Sequence, residues 1–176
     1  MPVATAEYGI AAEHWRQTVS TGNGRKVTYY DALWRPLLVR EYDAGNVAAT
    51  DRYTAYSHDA LNRQIHAAYP VAVAPTSNAG SWTLPGVHTA YDALGRVTSV
   101  TQDSELGPLV TTTQYLSGFQ TRVTNPRGHA TTTQFVAYDQ PAYDQPTRID
   151  APESTTTLIA RDPFGKPMSI TRGATP

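Results

Sequence analysis

The sequence predicts an all-β protein, an antiparallel array of β-hairpins, and three observations carry that expectation. A turn built on Tyr-Asp-x-x-Gly-Arg recurs along the chain. The runs between turns are short and rich in Thr and Tyr, with three Thr-Thr-Thr segments and 11 Tyr against three Phe and three Trp. Leu, Ile and Met are sparse, so a helical bundle or a doubly wound core would be poorly supplied. Thr and Tyr suit a pleated, half-buried surface, where one end of the side chain packs and the other stays wet.

The strongest copy of the repeat is Tyr91-Asp92-Ala93-Leu94-Gly95-Arg96, followed by Val97-Thr98-Ser99-Val100. An earlier copy is Tyr30-Asp31-Ala32-Leu33-Trp34-Arg35, and the next is His58-Asp59-Ala60-Leu61-Asn62-Arg63. A late copy is Arg161-Asp162-Pro163-Phe164-Gly165-Lys166. Counted from the Asp, each has a small residue or Pro at +1, a large apolar residue at +2, a turn former at +3 and a base at +4. In the second half the spacing is nearly regular. Asp92 is followed 24 residues later by Leu116, in a copy that has lost its Asp, then at intervals of 23 by Asp139 and Asp162. A second turn type is expected at Asp43-Ala44-Gly45-Asn46 and at Asn125-Pro126-Arg127-Gly128, and Gly22-Asn23-Gly24 reads as a hairpin turn. The stretch Ala11–Arg16 leads into a strand. Pro70–Gly80 reads as an inserted loop.

The turn has a mechanism. Asp at the first position of a type I turn accepts from the N–H two residues on, and Gly at the fourth supplies positive φ without steric cost. Together they predict a hairpin closed by a type I turn and a Gly bulge. Asn62 is the usual substitute in the Gly slot, since Asn tolerates left-handed geometry. Trp34 is not, so its turn is expected to be distorted. The base at +4 (Arg35, Arg63, Arg96, Lys166) is expected to pair with an Asp or stack on a neighbouring Tyr, although a solvated position on the sheet surface is the plainer alternative.

Several function classes find no support. The formal net charge is −1 and no basic run is visible, so nucleic-acid binding is not expected. Cysteine is absent, and the five histidines show no metal-ligand spacing, which leaves them as surface or turn residues. No segment has the apolar length of a membrane helix. The repeated Asp residues sit in a fixed turn context, which assigns them to backbone capping and not to acid–base chemistry. Gly22-Asn23-Gly24-Arg25-Lys26 lacks the ending of a phosphate loop. The chain is therefore expected not to be an enzyme and to need no cofactor. Exposed aromatics suit sugar stacking, but Trp15, Trp34 and Trp82 do not recur in register, so no repeated sugar site is expected.

The Tyr-Asp-x-x-Gly-Arg unit, recurring every twenty-odd residues, resembles the YD repeats of the Rhs family: bacterial Rhs toxins, wall-associated proteins, B/C components of insecticidal toxin complexes, and teneurins. The likeness spans about residues 27–172, preceded by a partly irregular lead-in (1–26), interrupted by a loop near 70–86 and followed by a short tail (173–176). It implies a curved sheet forming an arc of a hollow shell that encloses a toxic effector domain. A complete shell needs many hundreds of residues, so this length is expected to supply only part of a wall. Asp162-Pro163-Phe164-Gly165 faintly resembles the family's self-cleaving element, but its place in the repeat register makes it an ordinary turn. The leading expectation is a non-catalytic structural segment of an Rhs-type exported protein, partnered by the remainder of that polypeptide and its effector. The alternative is a self-standing cell-surface repeat module that binds carbohydrate or protein. Met1–Glu7 has neither the basic start nor the apolar stretch of a signal peptide, so secretion is expected to depend on other sequence. Without obvious caps, both sheet edges are expected to be open, favouring assembly or aggregation.

Overall fold

The structure, a computed structural model, describes residues 1–76, 83–137 and 141–173. Among the described residues it is an all-β chain of thirteen antiparallel strands in one open sheet, ordered as they occur in sequence. The strands are β1 (Trp15–Thr21), β2 (Gly24–Tyr30), β3 (Pro36–Asp43), β4 (Arg52–His58), β5 (Gln64–Ala68), β6 (Gly86–Tyr91) and β7 (Val97–Gln102). They continue as β8 (Leu109–Leu116), β9 (Gln120–Thr124), β10 (Ala130–Phe135), β11 (Pro146–Ala151), β12 (Thr155–Arg161) and β13 (Pro167–Arg172). One helical turn, α1 (Val47–Thr50), joins β3 to β4. No helix among the described residues is long and apolar enough to cross a membrane. Asp139, Trp82 and part of the expected insertion (residues 77–82) lie outside the described residues.

The chain divides into two compact units. In the first (Met1–Ala90 with Thr101–Pro108), period-two alternation sends Val27 and Tyr29 of β2, Tyr53 and Ala55 of β4, and Ala68 of β5 to one face. Leu37 and Leu38 of β3 join them, and Leu38 is fully buried. An open sheet needs something over that face, and two irregular segments supply it. From the lead-in come buried Ile10 and half-buried Tyr8, and from the loop after β5 come Val71, Ala74 and Leu84. Val71 exchanges both backbone hydrogen bonds with Tyr53 at 2.8 and 2.9 Å. The chain passes so close at Gly86 that an added Cβ would lie 2.3 Å from the carbonyl oxygen of Ala67, so only glycine fits there.

The lead-in also corrects the expectation of an open edge at β1. The N–H of Arg16 donates to the carbonyl of Met1 at 3.1 Å, Val3 and His14 are joined at 3.0 Å, and Pro2 bridges to Trp15. The first part of that edge is thereby paired. Ala11–Arg16 runs into β1 as expected.

The second unit (Tyr91–Val100 with Leu109–Pro176) has a thinner core. Phe135 meets Phe119 and Tyr143 edge-to-face at 6.2 and 5.2 Å, Phe119 and Tyr143 lie 4.5 Å apart with planes tilted by 30°, and Tyr143 meets Tyr115 at 5.9 Å. Every residue of β13 is exposed, including Met168 and Ile170, and β12 is its partner in the ladder.

Candidate functional site

The four repeat Asp residues that the sequence singles out among the described residues each open a hairpin turn. At Asp31, Asp59, Asp92 and Asp162 one set of bonds closes the chain. The Asp N–H donates to the carbonyl at +4 at 2.9–3.0 Å, and the N–H at +3 returns to the Asp carbonyl at 3.0–3.1 Å. Oδ1 of each Asp then accepts from the N–H groups at +2 and +4, at 2.8–2.9 Å. The +3 residue is left-handed every time, with φ of 62° at Trp34, 64° at Asn62 and 80° at both Gly95 and Gly165. This is a type I turn followed by a one-residue bulge, visible as register shifts at Tyr29/Tyr30, Ser57/His58 and Ala160/Arg161.

Three expectations about turns are corrected. The Trp34 turn is not distorted: it holds the same bonds as the glycine turns, so the Asp31 side chain and the strand ladder outweigh the unfavourable φ of a bulky residue. Asn125-Pro126-Arg127-Gly128 is not a second turn type. Asn125 Oδ1 accepts from Arg127 and His129 at 3.0 Å, the backbone closes at 2.9 Å twice, and Gly128 has φ 81°, because an amide oxygen caps these N–H groups as a carboxylate does. Nor is Leu116 in a variant Asp turn. Leu116 pairs with Gln120 across a three-residue loop in which Gly118 and Phe119 both have positive φ. Asp43 begins a longer connection: its Oδ1 accepts from Gly45 at 2.7 Å before α1.

The +4 bases divide by residue type. Nε of Arg35, Arg63 and Arg96 donates to Oδ2 of its own Asp at 2.6, 2.7 and 2.8 Å. Arg35 goes further and donates from one terminal nitrogen to the carbonyl of Asp59 and to Oδ1 of Asn62 in the next Asp turn. Arg96 lies over the Tyr115 ring, 3.9 Å from its centroid. Lys166 contributes its backbone N–H to Asp162, while Arg161 takes the bridging part, donating to the carbonyls of Gly165 and Pro146. Tyr91 ends β6, and Tyr30 ends β2 and donates its hydroxyl to Gln17 at 2.9 Å.

These bonds set the charge state of the carboxylates. Burial pushes Asp31 up, but the Arg35 N–H and guanidinium and the Leu33 N–H outweigh it and hold the group below the usual carboxylate range. The backbone N–H of Arg63 and that of Arg96 are the largest influences lowering Asp59 and Asp92. With Oδ1 taken by two N–H groups and Oδ2 by a guanidinium, Asp31, Asp59 and Asp92 are occupied structural acceptors.

Three features went unread in the sequence. The +2 apolar residues stand out at the turn crests, with Leu33 61%, Leu61 67%, Leu94 77% and Phe164 87% exposed. Two histidines expected at the surface are buried, His14 and His66, because strand alternation turns His66 to the face that Ala68 shares. His66 stacks on His88 at 4.4 Å with ring planes 17° apart, and His88 Nε2 lies 3.2 Å from Oδ2 of Asp103. Parallel rings do not aim their in-plane lone pairs at one point, and no cluster among the described residues is set to hold a metal ion. Finally, Trp15 and Trp34 stack at 4.6 Å. Their separation in sequence hid this pair, which forms because β1 lies beside the strand that enters the Asp31 turn.

Compared with known proteins, the chain matches no family model and no curated protein.

Proposed function

We propose that this chain is a non-catalytic wall segment of an exported protein of the Rhs type, whose YD-repeat sheet encloses an effector domain. The observation that carries the reading is the repeated Asp turn, in which one bond pattern recurs at Asp31, Asp59, Asp92 and Asp162 and at Asn125. Each of the four Asp turns leads from an even-numbered strand into the next odd-numbered one, two strands to a unit, while the Asn125 turn uses the same bonds between β9 and β10. Sequential antiparallel pairing with a fixed turn lengthens a sheet by simple addition, as a wall requires. The exposed leucines at the crests and the bare strand β13 suit surfaces that neighbouring segments or a cargo would cover.

The test is to read the gene on both sides of this segment and to express the longer product. Further Tyr-Asp units in frame, with a C-terminal domain that resists protease until the repeat region is cut, are the expected result. Stop codons bounding the segment, together with a monodisperse monomer at high concentration, would overturn the proposal.

A further inference from the structure

His66 is 5% exposed, and among the described residues neither of its ring nitrogens has a hydrogen-bond partner. A buried imidazole without a partner takes up a proton only at a large desolvation penalty. The ring stacked on it is another histidine: His88, its register partner on β6, lies 4.4 Å away with planes 17° apart. The other groups around the pair bring little relief. Ser57, the register partner on β4, is buried and neutral, and from the segment before β6 the Leu84 backbone faces the ring. Gly86 closes off Nε2, since an added Cβ there would lie 2.8 Å from it. The Asp103 carboxylate, after β7, is already engaged: its Oδ2 accepts the Gly86 N–H at 3.0 Å and lies 3.2 Å from His88 Nε2.

The pair sits on a short joint. β5 and β6 share three register pairs, His66 with His88, Ala67 with Val87 and Ala68 with Gly86, where β1 and β2 share seven. Tyr69 adds two ties, its N–H to the Pro85 carbonyl at 2.8 Å and its hydroxyl to the Asp103 carbonyl at 3.0 Å. Leu84, just ahead of β6, packs on the core of the first unit.

We propose that the joint between β5 and β6 is an acid-sensitive seam, in which protons taken up by the stacked pair His66–His88 part the two strands and lift Leu84 from the core. Two imidazolium rings at that spacing repel, and one carboxylate that is already shared balances only one of them. Parting the strands puts His66 in water, where its cation is solvated, so acid favours the open form. The opened seam bares the apolar face beside Ala68, a surface presented only in acid. The seam does not depend on the proposed wall role.

The test is hydrogen exchange of the full chain, read by mass spectrometry at about pH 7.5 and about pH 5.5 and corrected for intrinsic rates. Protection over residues 64–69 and 83–90 is expected to fall about tenfold or more at the lower pH, as a one-unit pKa difference between closed and open forms implies. Over β1 to β3 it should fall less than about threefold. His66→Gln should abolish the local loss and His88→Gln should reduce it. His58→Gln should leave it as in the parent, because the His58 ring faces Arg35, Asp31 and Asp59 instead. If His66→Gln fails to fold, His88→Gln, at a half-exposed position, decides the matter. Equal protection at both pH values overturns the proposal, as does a loss spread evenly over β1 to β6. So does a loss that is undiminished in His66→Gln or His88→Gln, or one that His58→Gln abolishes.

Discussion

Arg35 and Asn62, 27 residues apart, are joined at 2.9 Å, so the base that closes one Asp turn also holds the next. The same terminal nitrogen donates to the Asp59 carbonyl at 3.1 Å while Nε stays on Asp31. The fork geometry of the guanidinium makes this possible, and an ammonium could not span both turns with the same bonds. Neighbouring hairpins are thereby tied at their turns as well as through the ladder.

Removing that tie should be measurable. Arg35→Ala is expected to cost about 1 kcal/mol, little of it recovered by Arg35→Lys. In a double-mutant cycle with Asn62→Ala, read by chemical denaturation, the coupling should be roughly 0.5–1 kcal/mol. Strict additivity would mean that the bond contributes nothing to holding the two turns together.

Gly95→Val places a β-branched side chain at φ 80°. The expected loss is about 1 kcal/mol or more, whereas Gly95→Asn should cost clearly less, since Asn62 already holds the same slot at φ 64°. Thermal melts of both variants give the comparison. An unchanged melting curve for the valine variant would contradict the assigned geometry.

Ile10 tests whether the irregular lead-in belongs to the core. It is 3% exposed and packs with Tyr29, Leu38 and Tyr53. Ile10→Ala should destabilise the first unit by about 2–4 kcal/mol. If hydrogen exchange in β1 to β5 is no faster in this variant, the segment is a loose appendage and not a cover.

Stability should depend on pH in two separate windows. Burial first, and then His88 beside it, hold the His66 pKa below 6.5, against weaker opposing pulls from the Leu84 backbone and Asp103. A depressed histidine favours the unfolded chain when protonated. The stability it protects is full above pH 6.5 and is lost as pH falls from there through the folded pKa. Asp31, Asp59, Asp92 and Asp103 are also lowered, so their contribution is full above the unfolded carboxylate value of 3.8 and is lost below it. Melting temperatures from pH 8 to pH 3 should show an upper and a lower decline; His66→Gln should reduce only the upper one, because burial and Arg35 also hold the His58 pKa below 6.5, and the double variant with His58→Gln should remove it. An upper decline that is undiminished in His66→Gln would place the titrating group elsewhere.

The all-β class and the hairpin order were legible because they depend on local chemistry. An Asp that can reach the N–H groups two and four residues on, with glycine or asparagine at +3, makes the turn wherever it occurs. Thr- and Tyr-rich runs then have one low-energy use between such turns. The equivalence of the Asn125 turn was hidden by its proline and missing acid, although its amide oxygen makes the same bonds. The Trp34 turn misled for the opposite reason: propensity argued against it, but local propensity is weak beside two side-chain caps and a paired ladder.

What the sequence determined by itself is therefore the strand array and the Asp turns that punctuate it, since each rests on contacts within about five residues. What only the tertiary structure decided is which face of the sheet is covered, and by what. Ile10, Val71 and Leu84 carry no periodic signal, yet they pack on Tyr29, Leu38 and Tyr53 because an open sheet must bury its apolar face against whatever chain can reach it. The stacked pairs Trp15–Trp34 and His66–His88 belong to the same class. Each joins residues about 20 apart, and strand register, which no short window of sequence encodes, brings them within contact.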